Sequence, residues 1–381
     1  MTVGRSSRCL GAALALGLLI HGPALAEEGI KIGMSVPISG GVAALGQHEQ
    51  WGAELAIAEI NAAGGILGKP LELVVQDNQC NPSQGVTSIE SLLQDEVTAI
   101  IGCLCSSVTL AAMPIVQRAE TPLVVGVSTS KKITEQAGVG GNEWTFRINP
   151  SDAGLAVALG NYLGDKGTVK TVAFVGEDTD YGRGGHAALS AALEARGIEV
   201  VSADFYQQNT ADFTTVLTRI RSKKPDAVAL YAVGADELNF LRQFHSMDIQ
   251  SHLTGRVALD ELQDTLVSSG MLDGTTSVFP YATGLDSAAN RSFVEAFEKA
   301  YGELPNYQSF EGYEALRVIA DAITRAGKAD PSAVRDALES TSFESLTGRK
   351  IEFDDHNQAH NYAIILRVEG SEIVVEAVAG T

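Results

Sequence analysis

From Ile30 onward the chain alternates short apolar runs, glycine-rich turns and longer stretches with helical spacing. The run Ile30-Lys31-Ile32-Gly33-Met34-Ser35-Val36 reads as a buried strand. A glycine-rich turn from Pro37 to Gly46 follows, and Gln50 to Asn61 then carries Leu55, Ile57, Ala58 and Ile60 at helical spacing. Asn61 to Gly68 stops that helix and turns the chain. Leu71 to Val75 is the next strand, with Gln76-Asp77-Asn78 at its carboxyl end, and Ser88 to Leu93 belongs to the following helix. Strand and helix alternate without hairpin signals, so the expected fold class is α/β with a parallel, doubly wound sheet.

The segment Ile100 to Thr134 carries the first chemical signal. The run Thr98 to Ile101 ends in Gly102 and then Cys105-Ser106-Ser107. Leu110, Met113 and Val116 recur at helical spacing, and the strand Leu123 to Val127 ends in Ser128-Thr129-Ser130. Two parallel strands therefore finish in hydroxyl side chains on one edge of a sheet. Ligands bind at the carboxyl edge of open α/β sheets. The helix beginning at Ser106 adds free N–H groups that favour an anion. The pattern points to a small carboxylate, although Ser106 and Ser107 are equally suited to capping that helix.

After Trp144-Thr145-Phe146-Arg147 the alternation restarts. Helices are expected at Asp152 to Leu163, Tyr181 to Arg196, Phe213 to Arg221 and Asp236 to His245, and strands at Thr171 to Val175, Val200 to Phe205 and Ala227 to Tyr231. Two such units facing each other make a two-lobed binder with a cleft between. Beyond Gly274 come a strand at Thr276 to Phe279 and helices at Ser292 to Tyr301, Gly312 to Arg325 and Pro331 to Leu338. Lys350 to Phe353, Ala363 to Arg367 and Ile373 to Ala377 alternate apolar and polar residues, as antiparallel edge strands do. The tail should give helices to lobe one (27–147 plus 277–352) and strands to lobe two (148–276 plus 353–381). Several crossings then form a multi-strand hinge.

Residues 1–26 read as a signal peptide: Arg5 and Arg8 precede an apolar run from Leu10 to Ile20, followed by Ala24-Leu25-Ala26. The expected location is the periplasm. Losing Arg5 and Arg8 takes the formal net charge from −20 to −22, which excludes binding to a phosphate backbone. Of the cysteines, Cys80, Cys103 and Cys105 remain. Cys103 and Cys105 sit two apart at a strand end, a poor geometry for bridging each other, whereas Cys80 follows the neighbouring strand. The expected disulfide is Cys80–Cys105, with Cys103 a buried apolar residue. No ligand spacing supports zinc. His356 and His360 would need a helix to face one way, but Phe353 to Asn357 reads as a turn. Ser128 lacks the second glycine of a nucleophile elbow, Gly68-Lys69 is followed by Pro70 rather than a hydroxyl residue, and no nucleophile–base pair stands out. Neither an enzyme nor a cofactor is expected.

With these residues in view, the mature chain resembles the periplasmic substrate-binding proteins of branched-chain amino-acid ABC importers. The resemblance rests on Ile100 to Ser107, the loop Asp77 to Pro82, the helix end Glu59 to Ile66, and Asp180-Tyr181-Gly182. It implies a type I periplasmic binding protein that takes a branched-chain or related amino acid and presents it, as a monomer, to a membrane permease. Ser106 and Thr129 would hold the ligand carboxylate, with Ser107 and Ser128 beside them. The Val127 carbonyl would accept from the ammonium, and Tyr181 would close over the ligand. The family's disulfide falls on Cys80 and Cys105. Three positions depart from the pattern. Val257 stands where the family has an acid for the ammonium, Leu45 where an aromatic residue is common, and Val233 where a tyrosine can occur. Asp260, Asp236 or Glu311 are candidates to supply the missing charge. The alternatives are a ligand without an α-ammonium, an amide, or a role as a ligand sensor rather than a transport receptor.

Overall fold

The computed structural model describes residues 1, 2, 4, 29–360 and 362–380; the leader read at 1–26 lies almost wholly outside the described residues. The first lobe runs β1 (Ile30–Val36), α1 (Ala43–Ala62), β2 (Leu71–Asp77), α2 (Pro82–Gln94), β3 (Ala99–Gly102), α3 (Ser106–Ala119), β4 (Leu123–Val125), α4 (Lys131–Gln136) and β5 (Thr145–Arg147). The second runs α5 (Asp152–Lys166), β6 (Thr171–Glu177), α6 (Asp180–Glu194), β7 (Glu199–Tyr206), α7 (Thr214–Lys223), β8 (Ala227–Tyr231), α8 (Gly234–Ser246) and β9 (His252–Gly255). The remainder is β10 (Thr276–Phe279), α9 (Ala288–Tyr301), α10 (Tyr307–Ala326), α11 (Pro331–Glu339), β11 (Phe343–Glu344), β12 (Lys350–Ile351), β13 (Tyr362–Glu369) and β14 (Glu372–Gly380).

Two parallel sheets result, ordered β2-β1-β3-β4-β5 and β7-β6-β8-β9. Their central strands are apolar on both faces because helices cover both, as parallel crossovers require. In each sheet the strand order reverses, beside β1 and β6 respectively, which opens a crevice at the carboxyl ends of neighbouring strands.

The tail completes both lobes. Phe293, Phe297, Leu316 and Val334, from α9 to α11, join Ile32 and Met34 of β1 in the first-lobe core. Helices α1 and α10 cross with their backbones touching: a Cβ at Gly52 would lie 1.9 Å from Ser309 O, and one at Gly312 2.0 Å from Glu49 O. Only glycine allows that approach. Antiparallel β10-β13-β14 forms a third sheet. Ala363, Ile364, Ile365, Leu366 and Val368 are all buried there and pack into both second-lobe clusters, so β13 is a central strand rather than the edge strand its pattern predicts. Nor does Lys350–Ile351 join that sheet; it pairs with Phe343–Glu344 and packs on the first lobe. By packing, the chain crosses between Val278 and Phe279 and again between Ala359 and Ala363, a few residues beyond positions 277 and 353.

Arg147 ties the end of β5 to the crossing near Ala359. Its guanidinium donates to Ser128 O at 3.3 Å, Ser130 O at 2.8 Å and Gln358 Oε1 at 2.6 Å. Burial pushes its pKa down to about 10, with Asp152 acting the other way.

Candidate functional site

The disulfide and the cap set the first wall of the site. Cys105 is the N-cap of α3 and bonds to Cys80 with a Cα–Cα separation of 5.6 Å. Its side chain therefore makes no capping hydrogen bond, and the first N–H groups of α3 are left to whatever occupies the cleft. Cys103 is buried, with its thiol pushed up to about 12 by burial.

The lobes meet around this wall. Lys132 Nζ lies 2.6 Å from Asp180 Oδ1, the Ala235 N–H donates to Gly41 O at 3.2 Å, and Gln208 Nε2 approaches Cys80 Sγ at 3.5 Å. A cavity lies between them, with about 60 Å³ open to the centres of water-sized molecules. Ser106, Ser107, Val127, Ser128, Thr129 and Tyr181 all line it, so the six residues singled out in the sequence converge on one space.

Their hydrogen bonds divide them by role. Thr129 Oγ1 is buried with only the Asp152 carboxyl beside it as a loose partner, and a hydroxyl so poorly satisfied costs free energy until a better acceptor arrives. Ser106 Oγ accepts from Ser130 N at 3.2 Å, leaving its own proton for an acceptor in the cavity. Ser128 Oγ is spent on the scaffold, at 2.9 Å from Leu104 O and 2.7 Å from Thr109 Oγ1. The Val127 carbonyl is spent too: it accepts from Asn149 Nδ2 at 2.9 Å and Tyr307 Oη at 3.0 Å. Both lone pairs of that oxygen are thus engaged. Tyr181 stands on α6 with its ring 5.7 Å from that of Tyr231.

On the second-lobe wall the charges differ from the sequence expectation. Val257 is buried in the second-lobe core and does not reach the cavity; its neighbour Arg256 does. The Arg256 guanidinium lies 4.1 Å from the Phe279 ring centre and donates to Val278 O at 3.2 Å, while Nε has no partner. Burial works against its charge, but Tyr181, Tyr307 and Asp152 keep it more basic than usual. Asp260 and Asp236 do not line this cavity; Asp236 accepts from the Asn209 N–H at 2.9 Å. Glu311 is buried with Glu49 and Glu314 beneath the first lobe, its pKa raised chiefly by burial.

The acids that do line the cavity are Glu177, Glu237 and Glu261, which sequence reasoning missed. Burial pushes Glu177 up to about 7 and Glu261 to about 8, and raises Glu237 well above the carboxylate range. The only available signal was adjacency, since Glu237 and Glu261 each follow an aspartate already considered.

His356 and His360 do not converge: one ring faces Ala137 O and the other Asp354 Oδ2. Among the described residues no group of three or more His, Cys, Asp or Glu side chains is placed to hold a metal ion.

Residues 29–372 match the family described as "Periplasmic binding protein". The chain belongs to that family. Its members are solute-binding receptors rather than enzymes, and the fold is that of the type I class. This periplasmic binding protein is 26% identical over 358 residues to the Leucine-, isoleucine-, valine-, threonine-, and alanine-binding protein of Pseudomonas aeruginosa, covering 94% of each chain. It is 26% identical over 334 residues to the Leu/Ile/Val-binding protein of Escherichia coli K12, covering 87% of this chain and 89% of that one. Among solved structures, a solute-binding protein from R. palustris in complex with benzoate superposes with a TM-score of 0.85 at 23% identity, covering 93% of this chain and 97% of the other. A branched-chain amino acid transporter substrate-binding protein from Streptococcus pneumoniae, in complex with isoleucine, gives 0.83 at 25%, covering 93% and 99%. No helix among the described residues is long and apolar enough to cross a membrane.

Proposed function

We propose that this protein is a periplasmic receptor of an ABC importer that captures a small carboxylate without an α-ammonium. It closes its lobes on the ligand and presents it, as a monomer, to a membrane permease. One observation carries the ligand reading: the carbonyl that would accept from an ammonium, Val127 O, already holds two donors of the protein. Arg256 in the cavity supports it, since the protein there supplies the cation that an amino acid would bring itself.

The anion's end is the start of α3 with Ser106 and Thr129. The helix terminus contributes ~1–2 kcal/mol in a partly buried geometry, and each charge-assisted hydrogen bond roughly 1.5–3 kcal/mol. Leu45, Leu104, Val233 and Phe279 offer apolar surface to the rest of the ligand. Together these reach the −8 kcal/mol or so of micromolar binding. Closure follows from the ligand bridging both lobes, by as much as it binds the closed form better than the open one.

A second reading, an α-amino acid, is favoured by the names of the P. aeruginosa and E. coli relatives and by the three cavity glutamates, any of which could face an ammonium. A thermal-shift screen separates the two. Benzoate or 4-methylpentanoate at a hundred times Kd should add about 2.7 kcal/mol of stability, and Ser106→Ala should cut that shift to about half or less. Stabilisation by leucine or isoleucine but by neither acid would refute the first reading in favour of the second.

A further inference from the structure

With a carboxylate seated at the start of α3, two buried polar atoms on the cavity wall still lack partners. Arg256 Nε is a donor without an acceptor, on a residue 4% exposed. Gln308 Oε1 is an acceptor without a donor, on a residue 5% exposed. Both residues line the cavity. Glu261 lines the same cavity, and both residues act on its carboxyl group. Arg256 is not free to turn elsewhere: it is stacked 4.1 Å from the Phe279 ring centre and bonded to Val278 O.

We infer that the ligand presents a hydroxyl group to this corner, its oxygen accepting from Arg256 Nε and its proton going to Gln308 Oε1. The inference rests on the carboxylate reading above and narrows it to hydroxycarboxylic acids. A hydroxyl is the smallest group that both accepts and donates. An ammonium would satisfy Gln308 but meet the guanidinium charge. An ether or a second carboxylate would accept from Arg256 and leave Gln308 bare. A site built around a hydroxyl rejects the analogue lacking it, because its own buried groups are then left unpaired.

Calorimetric titration of matched acids tests this: 4-methylpentanoate against 2-hydroxy-4-methylpentanoate, and benzoate against 3- and 4-hydroxybenzoate. In one set a hydroxylated member should bind about tenfold tighter or more. Gln308→Met should shrink that preference to about threefold or less, while Ser106→Ala, at the other end of the cavity, should weaken both members of each set and keep the preference. Equal binding within each set, with Ser106→Ala still weakening every acid, overturns the hydroxyl site and leaves the carboxylate reading standing. A preference that survives Gln308→Met overturns the assignment to this corner. Binding of leucine but of none of these acids overturns both.

Discussion

Thr129→Val is the substitution that separates a ligand contact from turn chemistry most sharply, because the two roles predict opposite signs. Thr129 Oγ1 is buried in a residue 2% exposed, with only a loose contact to the Asp152 carboxyl. Leaving such a hydroxyl unmet costs roughly 1–3 kcal/mol, and valine has nearly the same shape without it. The ligand-free protein should therefore gain about 1 kcal/mol, read as a rise of about 2 °C in Tm for a chain of this size. The same substitution removes a hydrogen bond to the bound carboxylate worth roughly 1.5–3 kcal/mol, so Kd should rise about 10- to 150-fold. Thermal unfolding without ligand and calorimetric titration with whichever acid the screen identifies would measure both. Ser128→Ala is the control: its hydroxyl bonds Leu104 O and Thr109 Oγ1. That variant should lose about 1 kcal/mol of stability and keep its affinity. A Thr129→Val protein that is less stable and binds as before would sink the carboxylate pocket as drawn.

Three further outcomes follow from the geometry. Replacing Cys80 and Cys105 by serine opens a loop spanning 25 residues; denaturant unfolding should show a loss of roughly 3 kcal/mol, and affinity should weaken because Cys105 begins the ligand-facing helix. In Glu49, buried with neither carboxyl oxygen partnered, burial raises the pKa from 4.5 to about 8. The folded state holds that proton after the unfolded chain has released it, so stability is greatest below about pH 4.5 and declines as pH rises towards 8. Tm measured across that window should fall, and Glu49→Gln should flatten the fall; an unchanged slope would remove Glu49 as its cause. Asp180→Asn breaks the interlobe pair with Lys132, but both partners are solvent-accessible, so affinity should drop by no more than about fivefold and the difference should vanish in high salt.

The alternation of strands and helices was legible because parallel sheets covered on both faces leave strands buried along most of their length, and β1, β3, β6 and β8 are all of that kind. Strand β13 misled because its burial on both faces depends on β10 and β14 arriving from distant parts of the chain, a tertiary fact that no local period carries. The first-lobe half of the site was legible for a local reason: Ser106 and Thr129 each lie four residues beyond a strand end, and a strand end points at the sheet's edge whatever else the chain does.

The second-lobe half had no such anchor. On a helix, consecutive side chains point about 100° apart, so choosing Asp236 rather than Glu237 required knowing how α8 is rotated against its sheet, which the neighbouring core decides. After β9 the same effect reverses the sign of the charge. Val257, which stands where the resembled family has an acid, turns into the core, and Arg256 turns into the cleft. A motif read position by position records only that a negative charge is missing. The folded chain puts a cation there instead, stacked on Phe279 and fixed to Val278, beside a carbonyl already closed to an ammonium by Asn149 and Tyr307. The Arg256 charge and the closed carbonyl, drawn from separate stretches of sequence, both act against an α-ammonium, and only the three cavity glutamates act for one. That agreement supports the proposed ligand class better than the absence of an acid at position 257 alone could.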